Sequence, residues 1–235
     1  ECVRSACVSH GRRETLRPAE GLGRVVAGGV DAPRPHPHYD RVTADGYAVR
    51  AADTFEASGR SPVRLVEGTA PLRAGEAVAV QTGAPVPAGA TAVVRIAHTE
   101  HREDAVEVFD AVAVGANVAE TGSEVDAGDR LVEGGQRLDP PAISLLQATG
   151  VTEIPTVERP QVAVVPTGDD LVQTDPAPGE CVETNVEMVR SLVEEWGGEA
   201  SVRGGVADES GVRETLDAAL EADVVVTTGW ASVGT

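Results

Sequence analysis

Lysine is absent from this sequence, so all nineteen basic side chains are arginine, set against thirty-eight acidic ones. The resulting net charge of −19 repels nucleic acid phosphates and anionic bilayers, which sets aside both as partners. An acid excess without lysine resembles proteins of salt-loving organisms, although GC-rich codon usage accounts for it equally well, and neither reading names a function. Aromatic residues make up only 3% of the chain, so cores must be filled by valine, alanine and leucine. Cysteine occurs three times, as Cys2, Cys7 and Cys181; this spacing suits neither a disulfide framework nor a paired zinc site, and free thiols in a reducing compartment are expected. No run approaches the ~18 consecutive apolar residues of a membrane-spanning helix, and the first residues carry neither an initiator Met nor an apolar signal core. A cytoplasmic protein with no membrane contact is the expectation.

What is present is a chain of 235 residues, 41% of them hydrophobic, enough for more than one core. From Gln161 to Thr235, strand-like and helix-like periods alternate. Val162 to Val165 form an apolar run broken by Pro166 and Gly168, as a strand buried on both faces would. Thr184 and Glu187 make a capping box ahead of a helix with Val186, Val189, Val193 and Trp196 on one stripe, ended by Gly197 and Gly198. A second strand is expected around 201–206, then a helix capped by Ser210, then a third strand over Asp223 to Val226. Such alternation predicts a parallel α/β sheet, of which this stretch makes about half a domain.

The first 155 residues read differently. Short alternating runs, such as Glu76 to Val80 and Ala105 to Val114, lie between Gly and Pro turns and predict β-rich modules. A helix is expected from Pro18 towards Ala27. Another is capped by Asp139, has Pro140 in its first turn, buries Ile143, Leu145 and Leu146, and ends at Gly150. The fold class is therefore mixed α/β and β, multidomain: β-rich modules over 1–158, then a partial parallel α/β domain over 159–235.

Two loops carry candidate chemistry. In a parallel sheet, PTGDDL (Pro166 to Leu171) and TTGWASVGT (Thr227 to Thr235) both fall at the carboxyl ends of strands, where open α/β folds bind ligands. The second is rich in small residues and hydroxyls, so its backbone N–H groups can approach an oxyanion while Ser232 donates a hydrogen bond; a simple tight turn is the plainer reading. Asp169 and Asp170 could hold Mg²⁺ through water, or one could act as a base, and solvated turn residues are again the alternative. In the β-rich part, Asp45 in TADGYAVR and Thr82 in QTGAPVP each precede a Gly at a sharp turn. His36, His38, His98 and His101 have no metal-binding spacing and are expected on the surface.

Taken in order, TADGYAVRAADT (43–54), GEAVAVQTGAPVPAGATAVV (75–94), GANVAETGSEVDAGDRL (115–131), PQVAVVPTGDDL (160–171) and DVVVTTGWASVG (223–234) resemble the molybdopterin molybdenumtransferases, the MoeA-like enzymes and the gephyrin E domain. The resemblance runs from about Glu14 onward and covers the first two thirds or so of a family member, so a C-terminally truncated chain is expected. It implies insertion of molybdate into adenylylated molybdopterin, with Mg²⁺-dependent hydrolysis of the adenylate and release of AMP. It implies a homodimer with its cleft between the α/β domain of one subunit, a molybdopterin-binding domain of MogA-like type, and a β-rich domain of the other. It also implies a molybdopterin adenylyltransferase as the upstream partner.

By position in the motifs, Asp45, Thr82 and Asp170 become the catalytic candidates, and Asp169 with Asp170 the metal ligands. Thr167, Gly168, Thr228, Gly229, Ser232 and Gly234 become the cradle for pterin and oxyanion. The chain departs from the family pattern at Ala97, where Glu is common, at Ala119, where Arg is common, at Asp170, usually Glu, and at Trp230, usually Gly. Two other readings stand beside the transferase: a non-catalytic molybdopterin-binding or scaffold homologue, and a nucleotide-processing enzyme sharing only the α/β half, against which the upstream motifs argue.

Overall fold

The computed structural model describes residues 10–168, 170–204 and 209–229. In chain order the strands of four or more residues are β1 (Arg13–Leu16), β2 (Gly46–Val49), β3 (Val63–Glu67), β4 (Glu76–Val80), β5 (Ala92–Arg95), β6 (Thr99–Arg102), β7 (Ala105–Val108), β8 (Ile154–Val157), β9 (Gln161–Thr167), β10 (Glu199–Val202) and β11 (Val224–Gly229). The α-helices are α1 (Pro140–Ala148), α2 (Asn185–Glu195) and α3 (Glu209–Ala219). The chain forms two compact units, one of residues 1–29, 133–143 and 153–235, the other of 30–132 and 144–152.

The second unit is built on a six-stranded sheet of order β5-β2-β4-β3-β7-β6, antiparallel except where β3 and β4 run parallel. Its strands are short because glycines and prolines interrupt them, and both faces of β2 are covered. Tyr47 and Val49 join Leu65, Val94, Val106 and Val108 in one core, whereas Ala48 packs with Val42 and Val93 on the other face. Alternation of side chains along a strand sends successive residues to opposite faces, which is why all four residues of β2 are buried. The run expected over 105–114 ends as a strand at Val108.

In the first unit, β10-β9-β11 form a parallel sheet. Val162 and Val164 of β9 pack against Val186, Val189 and Val193 of α2, while Ala163 and Val165 pack with Leu216 and Ala219 of α3. One helix therefore covers each face, and β9, apolar at every central position, is the strand both helices need. A separate antiparallel pair, β1 with β8, lies in the same unit.

Four local expectations are corrected. After Pro18 the chain makes only a three-residue 3₁₀ turn, Pro18–Glu20, because Val25 and Val26 bridge to Arg137 and Thr156 instead of continuing a helix. In α1 the Asp139 cap holds, with the Ala142 N–H donating to Oδ1 at 2.9 Å, but the buried stripe is Ala142, Leu146 and Thr149, and Ile143 and Leu145 are only half-buried. At α2, Thr184 makes no side-chain cap; the Val186 N–H donates to Glu183 Oε1 at 2.6 Å, and Glu187 pairs with Arg190. Trp196 is 72% exposed and leaves the stripe.

Candidate active site

The strand order β10-β9-β11 is that of a doubly wound sheet whose first strand lies in the middle, and the crevice between its first and third strands is where such sheets bind ligands. Here β9 and β11 pair in register from Val162↔Val224 to Thr167↔Gly229, so both strands stop at the same edge. Four features shape that edge. The Thr167 hydroxyl donates to the Thr228 carbonyl at 3.0 Å. A Cβ on Gly229 would collide with the carbonyl and hydroxyl oxygens of Thr167, so no other residue fits against β9 there. Asp170 turns its carboxylate back over Gly168, where an added Cβ would lie 2.9 Å from Oδ1. The Thr228 hydroxyl is buried and has no hydrogen-bond partner among the described residues; an orphaned polar atom of this kind is open to a ligand's donor or acceptor.

The second constellation lies in the β-rich unit. Asp45 immediately precedes β2 and Thr82 lies two residues beyond the end of β4; because these strands are antiparallel neighbours with Gly46 opposite Val80, the two residues meet across 37 positions of sequence. Asp45 Oδ1 accepts both the Thr82 N–H, at 2.7 Å, and the Thr82 hydroxyl, at 2.8 Å. These two donors hold the Asp45 carboxyl below its ordinary pKa, the backbone bond contributing most. Both bonds fall on one oxygen, and Asp45 borders a concavity of about 540 Å³ lined also by Tyr47, Gln81 and the exposed Ile96. Gly46 is required because a Cβ would strike the Val94 carbonyl, and Gly83 because its φ is +88°.

Thr167, Gly168, Asp170, Thr228 and Gly229 are thus gathered at one edge, and Asp45 with Thr82 in one turn. Asp169, Ser232 and Gly234 lie outside the described residues, as does Trp230. Sequence reasoning passed over one pair. Asp40 Oδ1 accepts the Thr121 N–H and hydroxyl, both at 2.8 Å, the same clamp as Asp45 with Thr82. The signal was available: each threonine stands before a glycine, in QTGAP and in ETGSE. No group of three or more His, Cys, Asp or Glu side chains converges to hold a metal ion among the described residues, and none of their helices is long and apolar enough to cross a membrane.

Comparison with known proteins accounts for both halves of the chain. Residues 2–150 match the family described as the MoeA N-terminal region (domain I and II). The chain belongs to the MoeA family. Residues 163–235, which contain the β9–β11 edge, match a probable molybdopterin binding domain. Among MoeA relatives, molybdopterin molybdenumtransferase 2 of Mycobacterium tuberculosis is 34% identical over 232 residues, which cover 93% of this chain and 57% of that protein. The molybdopterin molybdenumtransferase of Bacillus subtilis is 33% identical over 254 residues, covering 100% and 59%. The crystal structure of the molybdopterin biosynthesis MoeA protein from Pyrococcus horikoshii OT3 superposes with a TM-score of 0.85 at 33% identity, covering 94% of this chain and 62% of that one. The chain spans less than two thirds of the length of each.

Proposed function

We propose that this chain serves molybdenum cofactor biosynthesis, inserting molybdate into adenylylated molybdopterin with cleavage of the adenylate and release of AMP. The observation that supports this most directly is the shared edge of β9 and β11, which brings Thr167 and Asp170 beside Thr228 and Gly229. A reaction that moves a tetrahedral oxyanion onto sulfur while a phosphoanhydride is cut needs donors, positioning and a divalent cation more than a protein nucleophile. The edge offers the unpartnered Thr228 hydroxyl as a donor, the Thr167 hydroxyl oxygen as an acceptor, and the Asp170 carboxylate. Ser232 and Gly234 would extend the cradle.

Mg²⁺ fits this donor set, because a hard cation takes one or two carboxylates and completes its sphere with water and phosphate oxygens. Asp170, with Asp169, would hold it; when bound it would neutralise charge on the adenylate phosphate. Asp45, kept ionised by Thr82, would serve as a general base or orient the attacking water. In this reading the active protein is a cytoplasmic homodimer, Asp45 and Thr82 reach the pterin-binding edge of the partner subunit, and an adenylyltransferase supplies the substrate. The functional change along the chain falls near residue 158.

The test is direct. Purified protein is incubated with adenylylated molybdopterin, molybdate and Mg²⁺, both as the 235-residue chain and as any longer product of its gene, and AMP is quantified. Release that depends on molybdate and is abolished by Asp170→Asn supports the proposal. Tight binding of molybdopterin with no AMP from either form would instead favour a scaffold.

A further inference from the structure

A second concavity, of about 330 Å³, opens in the first unit beside the turn at Gly23, the segment Val157 to Pro160 and the end of α2 at Trp196. Its volume is at the lower end of the ~300–1,000 Å³ range of small-molecule clefts. Its chemistry runs against that of an acidic protein. Three arginines border it, Arg24, Arg137 and Arg159. Arg24 is committed to Glu14, and the single carboxylate of the lining among the described residues, Glu158, is engaged by Arg12 at 2.9 Å. Arg137 is aimed by main-chain carbonyls, donating from Nε to Gly23 O at 3.1 Å and from Nη2 to Glu195 O at 3.4 Å. Carbonyl oxygens orient a guanidinium without cancelling its charge. Neither Arg137 nor Arg159 has a carboxylate at ion-pairing distance among the described residues. At the rim stands Trp196, its indole 72% exposed although its own helix buries Val193 three residues earlier.

An uncancelled guanidinium pair beside an exposed indole matches a ligand with an anionic end and a flat ring. Arginine forks bind phosphate through paired, charge-assisted hydrogen bonds, and an indole face stacks on a heterocyclic base whatever its sequence identity. We infer that this concavity is a nucleoside monophosphate site, separate from the strand edge, with the phosphate held by Arg137 and Arg159 and the base stacked on Trp196. The site does not depend on the transferase proposal, since none of its residues belongs to the β9–β11 edge or to the turn of Asp45.

Trp196 supplies the reporter. In a Trp230→Phe background it is the only indole, and AMP is titrated while its fluorescence is followed. Saturable quenching is expected, weakening with added salt. Arg137→Gln and Arg159→Gln should each weaken binding about tenfold, or about 1.4 kcal/mol, and the double variant should abolish the response. Arg159 makes no side-chain hydrogen bond or ion pair among the described residues, so Arg159→Gln keeps the test meaningful if Arg137→Gln misfolds. No quenching, or quenching at undiminished affinity in the double variant, overturns the proposal, the latter by showing that AMP binds elsewhere.

Discussion

Replacing Gly229 by Ala tests the geometry of the strand edge most sharply. An added Cβ falls on the Thr167 carbonyl oxygen, a backbone atom of the neighbouring strand that no side-chain rotation can move, as well as on the Thr167 hydroxyl. Relief therefore requires β9 and β11 to part at their last paired residues, Thr167 and Gly229. That movement breaks the Thr167 hydroxyl bond to Thr228 O and the final ladder bond. At about 0.5–1.5 kcal/mol each, the loss is about 1–3 kcal/mol. With a urea slope of ~1–3 kcal/mol per molar, the unfolding midpoint of this unit should fall by about 1 M. Molybdopterin affinity, measured by calorimetry, should fall with it, because the donors no longer share one edge. Gly204→Ala is the control: a Cβ there meets nothing within 4 Å among the described residues, so its stability should stay within about 0.5 kcal/mol of the parent. If Gly229→Ala matched the parent in both midpoint and affinity, the close approach of the two strands would be refuted.

Three further outcomes are expected. Thr82→Val removes one of the two donors on Asp45, so the Asp45 carboxyl, followed by carbon-detected NMR titration, should titrate at higher pH than in the parent. Since its folded pKa is depressed, the stability this pair contributes is present above the unfolded pKa and lost as pH falls through the folded one, so a downward shift in the variant would contradict the assignment. Asp223→Asn weakens a contact in which Asp223 accepts Arg12 at 2.7 and 2.5 Å and the Gln161 N–H at 2.7 Å. Arg12 and Gln161 hold this carboxyl far below the usual range, so the variant's thermal midpoint should be lower at neutral pH, with a gap that closes only in strongly acid solution. Leu65→Ala, at a nearly solvent-free position of the six-stranded sheet, should cost about 2–5 kcal/mol in denaturant unfolding; a smaller loss would mean that the core collapses around the cavity.

The α/β half was legible because its signals are local. An apolar run buried on both faces and helical stripes at three- and four-residue spacing are properties of contiguous residues; β9 and the Val186, Val189 and Val193 stripe of α2 follow them, while β11 runs three residues past its expected end at Val226. Part of what failed was decided at long range. Nothing in the stretch from Pro18 to Ala27 announces that Val25 and Val26 find partners at Arg137 and Thr156, more than a hundred residues on, and those partners outbid a helix. At α2 the competition was between neighbours: Glu183, one residue upstream, took the N–H bond expected of Thr184, leaving Glu187 to Arg190. For the site, motif order pointed to Asp45 and Thr82, but only the antiparallel register of β2 and β4 makes them one constellation. Asp40 and Thr121 went unread because the antiparallel strands that bring them together, Arg41–Val42 and Val118–Ala119, are two residues long and too short to show a period.

Val30 and Val132 face each other as partners of an antiparallel ladder, so the hundred residues between them depart and return at a single doorway. A stretch whose two ends meet can be spliced into a host chain, or lifted out, without stretching either. The stretch 30–132, the greater part of the β-rich unit, therefore has the makings of a cassette, transferable to another protein with its Asp45 turn intact.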